Sequence, residues 1–270
     1  MTLKSRPTSR RRLQSTSKLR KGLPLPPNKY FILKKAIIIG ATSGIGKELA
    51  KQLAKDGYQI GITGRRQENL LALQATAPEK YIVQSWDATT VDNETELEKL
   101  VAKLGGLDLL VMNSGVGRLN KHLMYEHEKM TMDLNVIAFT QIMAWGFRYF
   151  RDNGGGQLVG ISSVASLRGS RHAPAYSGSK AYQANYMEGL RNKAFKDKLP
   201  ITVTDIRPGF VDTPMTKGQK GMFWVSDIEK ATRQICSGIK SKRSVKYITN
   251  RWRILAIVSK LLPRGIYKYL

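Results

Sequence analysis

Cysteine is almost missing from this chain: Cys236 stands alone among 270 residues. A single thiol cannot build an intramolecular disulfide framework, so the fold must rest on its core, and a reducing compartment is expected. Histidine is nearly as scarce. His122, His127 and His172 lack the spacing of a metal site, and no metal is expected. No apolar run approaches the roughly 20 residues of a membrane span, and the first residues lack the apolar stretch of a secretory signal. A cytoplasmic protein is therefore expected, with membrane association left open by the charge pattern. Acid is absent from both ends. Residues 1–30 carry nine Lys or Arg and no Asp or Glu, and residues 230–270 carry eleven and none. Between them, 25 basic residues face all 20 acidic ones. The net charge of +25 thus belongs largely to the two ends, and basic ends point to an anionic surface, membrane or nucleic acid. Nucleic acid is the weaker reading, since no aromatic-basic RNA signature and no zinc-finger spacing is present.

Proline and glycine divide the chain. "PLPP" at Pro24–Pro27 reads as a linker before the first strand. Residues 1–30, rich in Arg and Ser, read as a disordered extension or a transit peptide; a third reading starts the chain near Leu33. From Lys35 onward, short β-branched runs alternate with helical patterns. "KAIIIG", "YQIGITG", "KYIVQSW", "LDLLVMNSG", "GQLVGISS", "ITVTDIRPG" and "SVKYIT" are the strands. Such alternation predicts one α/β domain over residues 31–250, a doubly wound parallel sheet of about seven strands with helices on both faces. One long helical pattern spans about Glu126 to Arg151, and another runs from near Pro174 to Lys198. Ligands of such sheets bind at the carboxyl ends of the strands.

The first of those ends carries "GATSGIGKEL", with Gly40, Gly44 and Gly46 between a strand and a helix. Glycine is needed there for the tight turn and for close approach of backbone to a pyrophosphate, which the helix N-terminus then receives. A dinucleotide is the expected ligand. Its candidate contacts in the loop are Gly40, Thr42, Ser43, Gly44, Ile45 and Gly46. The second strand ends in "TGRR", with Arg65 and Arg66 where an acid would favour NAD(H). A guanidinium suits a 2′-phosphate, so NADP(H) is expected and NAD(H) is the lesser option.

The spacing G-x-x-x-G-x-G resembles the short-chain dehydrogenase/reductase family, and the resemblance covers about Lys35 to Ile248. "MNSG" is similar to the family's Asn-Asn-Ala-Gly segment; Met112 and Ser114 depart from it, so Asn113 and Gly115 carry over. Ile39 stands where the family usually has Thr before the loop. The resemblance implies a Rossmann-like fold, an adenine contact at Asp87, a nicotinamide site at Pro208 and Gly209, and a carboxamide contact at Thr213. It also implies a homo-oligomer, dimer or tetramer, paired through long helices.

"PAYSGSK" sets Tyr176 and Lys180 on one helical face. A phenol with an ordinary pKa near ~10 is a poor acid or base at neutral pH. A nearby ammonium is expected to lower that value and make the phenol a usable general acid/base. Ser163, thirteen residues earlier, has the position and spacing of the family's catalytic serine, which would orient and polarise a carbonyl. Ser162 would face the other way along the strand. Asn135 matches the family's helix asparagine, which supports a proton path to Lys180. Together Ser163, Tyr176, Lys180 and Asn135 imply carbonyl reduction or alcohol oxidation, with hydride carried by the cofactor. A cofactor-binding sensor without catalysis is the alternative.

Two segments bear on substrate. Met215, Met222, Phe223 and Trp224 in "VDTPMTKGQKGMFWVS" could line an apolar pocket. The tail 251–270 mixes Trp252, Ile254, Leu255 and Ile257 with Arg251, Arg253 and Lys260. It has two readings: an interfacial helix on a membrane, favouring a lipid-like substrate, or a helix packed on the domain or a second subunit.

Overall fold

The computed structural model describes residues 33–218 and 221–267. The extension expected over residues 1–30 lies outside them. From Leu33 onward the chain forms one compact unit.

Among the described residues, seven parallel strands make a single sheet in the order β3-β2-β1-β4-β5-β6-β7. They are β1 Lys34–Ile39, β2 Tyr58–Gly64, β3 Tyr81–Ser85, β4 Leu109–Met112, β5 Gly156–Ile161, β6 Ile201–Pro208 and β7 Val245–Ile248. The apolar runs form strands because both faces are covered, and alternation sorts their side chains between two cores. In β1, Ala36 and Ile38 join the core on one face, while Ile37 and Ile39 join the core on the other. In β4, Leu109 and Val111 go one way and Leu110 and Met112 the other. The first face is covered by α1 (Gly44–Lys55), α2 (Gln67–Gln74) and α7 (Ile228–Lys240). The second is covered by α3 (Asn93–Leu104), α5 (Phe139–Asp152) and α6 (Pro174–Lys196), and α4 (Tyr125–Met132) packs on α6. Phe139 and Phe150 are among the largest fully buried side chains, each contributing about 2–3 kcal/mol through burial.

The strand order reverses between β1 and β4, which opens a crevice at their carboxyl ends. The helix expected over residues 126–151 spans that region, but not as one regular helix: Asp133–Ala138 between α4 and α5 is π-helical. The cause is Asn135. Its amide donates to Val116 O (2.7 Å) and Ser179 Oγ (3.0 Å), its side-chain oxygen accepts from Val116 N (2.9 Å), and its backbone carbonyl accepts from Gln183 Nε2 (2.9 Å). The wider π turn accommodates a residue tied by these bonds to neighbouring elements.

The C-terminal segment is a helix, α8 (Asn250–Leu261), followed by the single turn α9 (Arg264–Tyr267). It packs on the domain, with Trp252 and Ala256 buried. No helix among the described residues is long and apolar enough to cross a membrane.

Candidate active site

The glycine loop turns back on itself at the end of β1. Gly40 N and Ala41 N both donate to Thr63 O, at 3.0 and 2.8 Å, with Gly40 at φ +92°. Gly46 is required for a different reason. A Cβ there would collide with the Gly40 carbonyl and come within 2.5 Å of the Asn113 amide, which itself donates to Gly40 O at 2.7 Å. Glycine thus lets α1 dock against the strand end, and Asn113 locks the loop. The N-terminus of α1 is open: Ser43 makes no capping bond and the first turn carries no acid. Its free N–H groups and positive dipole end face the crevice.

Arg66 engages the Ser43 hydroxyl instead. Its Nη2 donates to Thr42 Oγ1 (2.7 Å) and Ser43 Oγ (2.8 Å). Arg65 extends to Asp87 at 3.5 Å. Burial works to raise the Asp87 carboxyl, but hydrogen bonds from Thr89 and the Arg65 charge outweigh it and hold the group below its ordinary value. Gly40, Thr42, Arg65, Arg66 and Asp87 line one cavity of about 420 Å³, with Gly115 at its edge. The donor set could hold the phosphates of a dinucleotide: open helix N–H groups and a glycine turn, with two guanidinium groups nearby.

A smaller cavity of about 140 Å³ continues from it, bounded by Ser43, Gly44, Ile45 and Asn113 on one side. Pro208, Gly209, Thr213 and Met215 close the other side, and Ser163, Tyr176 and Lys180 form its floor. Two residues expected at the site lie behind these walls. Gly46 sits under the loop, and Asn135 is fully buried.

Ser163 follows β5, where its hydroxyl accepts from Ala165 N (3.1 Å), donates to Pro208 O (3.5 Å) and also bonds the Tyr176 phenol. Tyr176 lies in the first turn of α6, begun by Pro174. Gly117 permits the opposite approach, since any Cβ there would strike the Tyr176 ring. Lys180, one turn on, is buried. Its Nζ donates to Ile161 O and Gln183 Oε1, both at 2.9 Å, and stands 5.8 Å from the Tyr176 ring centre.

The phenol is not lowered here. Burial pushes Tyr176 above its ordinary value, and the Ser163 hydrogen bond opposes this only in part. Lys180 spends its charge on neutral oxygens, and burial brings it down to about 8, with Asp205 opposing. A buried ammonium and a buried phenol each lose hydration, and in this arrangement that loss outweighs their attraction.

Beneath Ser163 lies a network the sequence did not reveal. Ser162 does face away, and its hydroxyl bonds the fully buried Asp205. Asp205 in turn pairs with Arg207 at 2.6 Å, and Arg207 reaches Tyr247 OH at 3.1 Å. Alternation along "TDIRP" puts Asp205 and Arg207 on one face of β6, which was the available signal.

On the far side of Ser163 and Tyr176 is a third cavity of about 490 Å³. Its walls are mostly apolar, with Leu167, Phe210, Met222, Phe223, Trp252 and Leu255, and Arg118, Arg168 and His172 add polar groups. Trp224 and Met215, expected in the lining, lie outside it: Trp224 meets Trp252 edge to face with ring centres 5.8 Å apart, and Met215 borders the smaller cavity. Trp252 lies on Gly209, where no side chain could fit beneath the indole. α8 is fixed by Arg168, whose guanidinium donates to Ser259 O (2.7 Å), Lys260 O (3.2 Å) and Leu262 O. It thereby satisfies the free carbonyls at the helix C-terminus. Tyr267 OH donates to Gly169 O at 3.1 Å.

Comparison with known proteins decides the family. The model of the short chain dehydrogenases matches residues 34–222. The chain belongs to that family. An uncharacterized oxidoreductase of Myxococcus xanthus is 36% identical over 187 residues, covering 67% of this chain and 73% of its own. A short chain dehydrogenase from Burkholderia cenocepacia in complex with NADP superposes with TM-score 0.72 at 19% identity, covering 85% of this chain and 98% of its own. A 3-ketoacyl-(acyl-carrier-protein) reductase from Brucella melitensis complexed with NADH gives 0.71 at 18%, covering 80% and 96%. This dehydrogenase is thus an NAD(P)-dependent oxidoreductase with a Rossmann-type fold.

Proposed function

We propose that this dehydrogenase is an NADP(H)-linked carbonyl reductase acting on an apolar ketone or aldehyde, or on the corresponding alcohol in reverse. One observation carries the reading. The cavity at the glycine loop and a mostly apolar cavity share the Ser163–Tyr176 pair in their walls. Bound NADPH would supply hydride to the carbonyl carbon. Its pyrophosphate would rest on the Gly40–Gly46 loop and the α1 N-terminus, with Arg65 and Arg66 at the 2′-phosphate and Asp87 near the adenine. Asn113, Gly115, Pro208, Gly209 and Thr213 would border the nicotinamide end, and Lys180 would hold the ribose.

The phenol of Tyr176 gives its proton to the carbonyl oxygen in reduction and takes it back in oxidation. A phenol held above its ordinary value stays protonated at neutral pH, which suits reduction. Ser163 donates to the same oxygen and fixes its position. Asn135 acts one layer back, holding the Val116 loop and, through Gln183, the Lys180 ammonium. Homo-oligomers would pair through the α4–α5 face, where Met132 and Ile137 are exposed.

The test is loss of reduced-nicotinamide absorbance with NADPH and NADH against carbonyls of increasing chain length. The reading expects NADPH to exceed NADH, longer apolar carbonyls to exceed short ones, and Arg65→Ala with Arg66→Ala to erase the cofactor preference. Tight NADPH binding with no turnover on any carbonyl would favour a cofactor sensor instead.

A further inference from the structure

We propose that the outward face of α8 is a docking surface for an anionic lipid bilayer. A helix on a protein surface normally turns apolar residues inward and polar ones to water. α8 turns apolar residues both ways. Trp252, Leu255, Ala256 and Ser259 face the domain and line the apolar cavity. At 100° per residue, Ile254, Ile257, Val258 and Leu261 fall on the opposite side. They are exposed there, Ile254 by 67%, Ile257 by 52% and Leu261 by 77%.

The charges follow the same geometry. Arg253 and Lys260 project along one flank of the outward stripe and Arg251 along the other, all three exposed. No Asp or Glu occurs from Lys230 onward. The surface also extends beyond the helix. Trp224 and Val225 are exposed beside it, with the Arg251 guanidinium 5.4 Å from the Trp224 ring centre and donating to Trp224 O at 3.2 Å. Ile266 in α9 is exposed as well.

Charge selects the occupant. A second copy seated face to face would set cationic flank against cationic flank with no acid to relieve it. A layer of anionic headgroups complements both flanks, and the apolar stripe between them suits the headgroup boundary. Twelve residues span about 18 Å, too short for the ~30 Å hydrocarbon core, so the helix lies in the interface plane. Docking does not depend on the catalytic reading. Only its corollary does: apolar substrate would pass from bilayer to cavity around the helix that borders both.

The test uses the full-length protein, sedimented with vesicles of phosphatidylcholine alone or with phosphatidylglycerol as about one-third of the lipid. The wild type should bind the phosphatidylglycerol vesicles and bind phosphatidylcholine much more weakly. The double variant Ile257→Asp, Leu261→Asp should bind at least roughly ten-fold less, with its melting temperature unchanged because both side chains are exposed. That variant keeps every cation in residues 1–30. If it bound like the wild type, the affinity would belong to the N-terminal residues and the proposal would fall. It would fall too if the wild type ignored both vesicles, or if it were an oligomer in solution that the double variant dissolved without any vesicle binding. Vesicle binding is read without turnover, so an inactive enzyme that docks would sink the catalytic reading and leave this one standing.

Discussion

The proposed cofactor side and the proposed substrate side of this site are built in different ways. The cofactor side is mostly backbone: a loop turned by Gly40, pressed flat at Gly46 and pinned by the nearby Asn113 amide. The substrate side is mostly side chain: Phe210, Phe223 and Trp252 meet with ring centres 5.2 to 6.0 Å apart, and Arg168 holds the C-terminal helix over them. Backbone geometry requires glycine at set points and tolerates no alternative. Aromatic packing accepts many residues of similar size. The first half therefore suits one ligand class, and the second can be retuned for different substrates.

The largest effect is expected where the halves meet. Tyr176→Phe removes the proposed proton donor and little volume, so kcat should fall by about 10² to 10⁴. NADPH affinity should stay near the wild-type value, because the cradle is built by other residues. A variant losing affinity and turnover together would blur the division between the halves.

Lys180 belongs to both halves, and its burial makes a pH prediction. The folded side chain has a pKa of about 8, below the ordinary lysine value. Below pH 8 both folded and unfolded chains hold the proton. Between about pH 8 and 10.4 the unfolded chain still holds it and the folded one has released it, so stability rises with pH. The slope approaches about 1.4 kcal/mol per pH unit at most. Subtracting the profile of Lys180→Met cancels the other groups. A flat difference over that window would mean that Lys180 is hydrated in the folded protein.

Next come two glycines, one in the loop and one where the two cavities meet. Gly46→Ala drives a Cβ into the Gly40 carbonyl, which should cost about 1–3 kcal/mol of stability and weaken NADPH binding. Gly209→Ala meets the Trp252 indole instead. Because Gly209 borders both cavities, this variant should raise KM for long apolar carbonyls and weaken NADPH binding less than Gly46→Ala does. Equal losses of NADPH affinity in both would refute the comparison.

The same contrast governs what the sequence disclosed. The strands, the glycine loop and the Tyr176–Lys180 spacing are local patterns, and the structure has the strands and turns where those patterns put them. The rest depended on distant partners. The π-helical turn at Asn135 needs Val116, Ser179 and Gln183, 19 to 48 residues away. Asp205 read as an ordinary strand residue until Ser162 and Arg207 closed around it. The direction of the Tyr176 shift turned on burial, which spacing does not encode. The tail left two readings open because its apolar residues occur on both helical faces, and only packing tells which face meets the domain.

The smallest effect concerns Arg168, 91 residues before the first carbonyl it bonds. Arg168→Ala leaves three carbonyls at the end of α8 to water and should loosen the helix by about 1 kcal/mol. Amides of α8 should exchange faster with solvent, while those of α1 should not change. KM for long apolar carbonyls should rise, and kcat with a short carbonyl that never reaches Leu255 should hold. Arg168→Lys keeps a charge near the helix end but loses the fork that serves several oxygens, so it should rescue only part of the exchange protection. Unchanged exchange in α8 in the alanine variant would mean that the aromatic cluster alone holds the helix, and the substrate half would then be simpler than the hydrogen bonds imply.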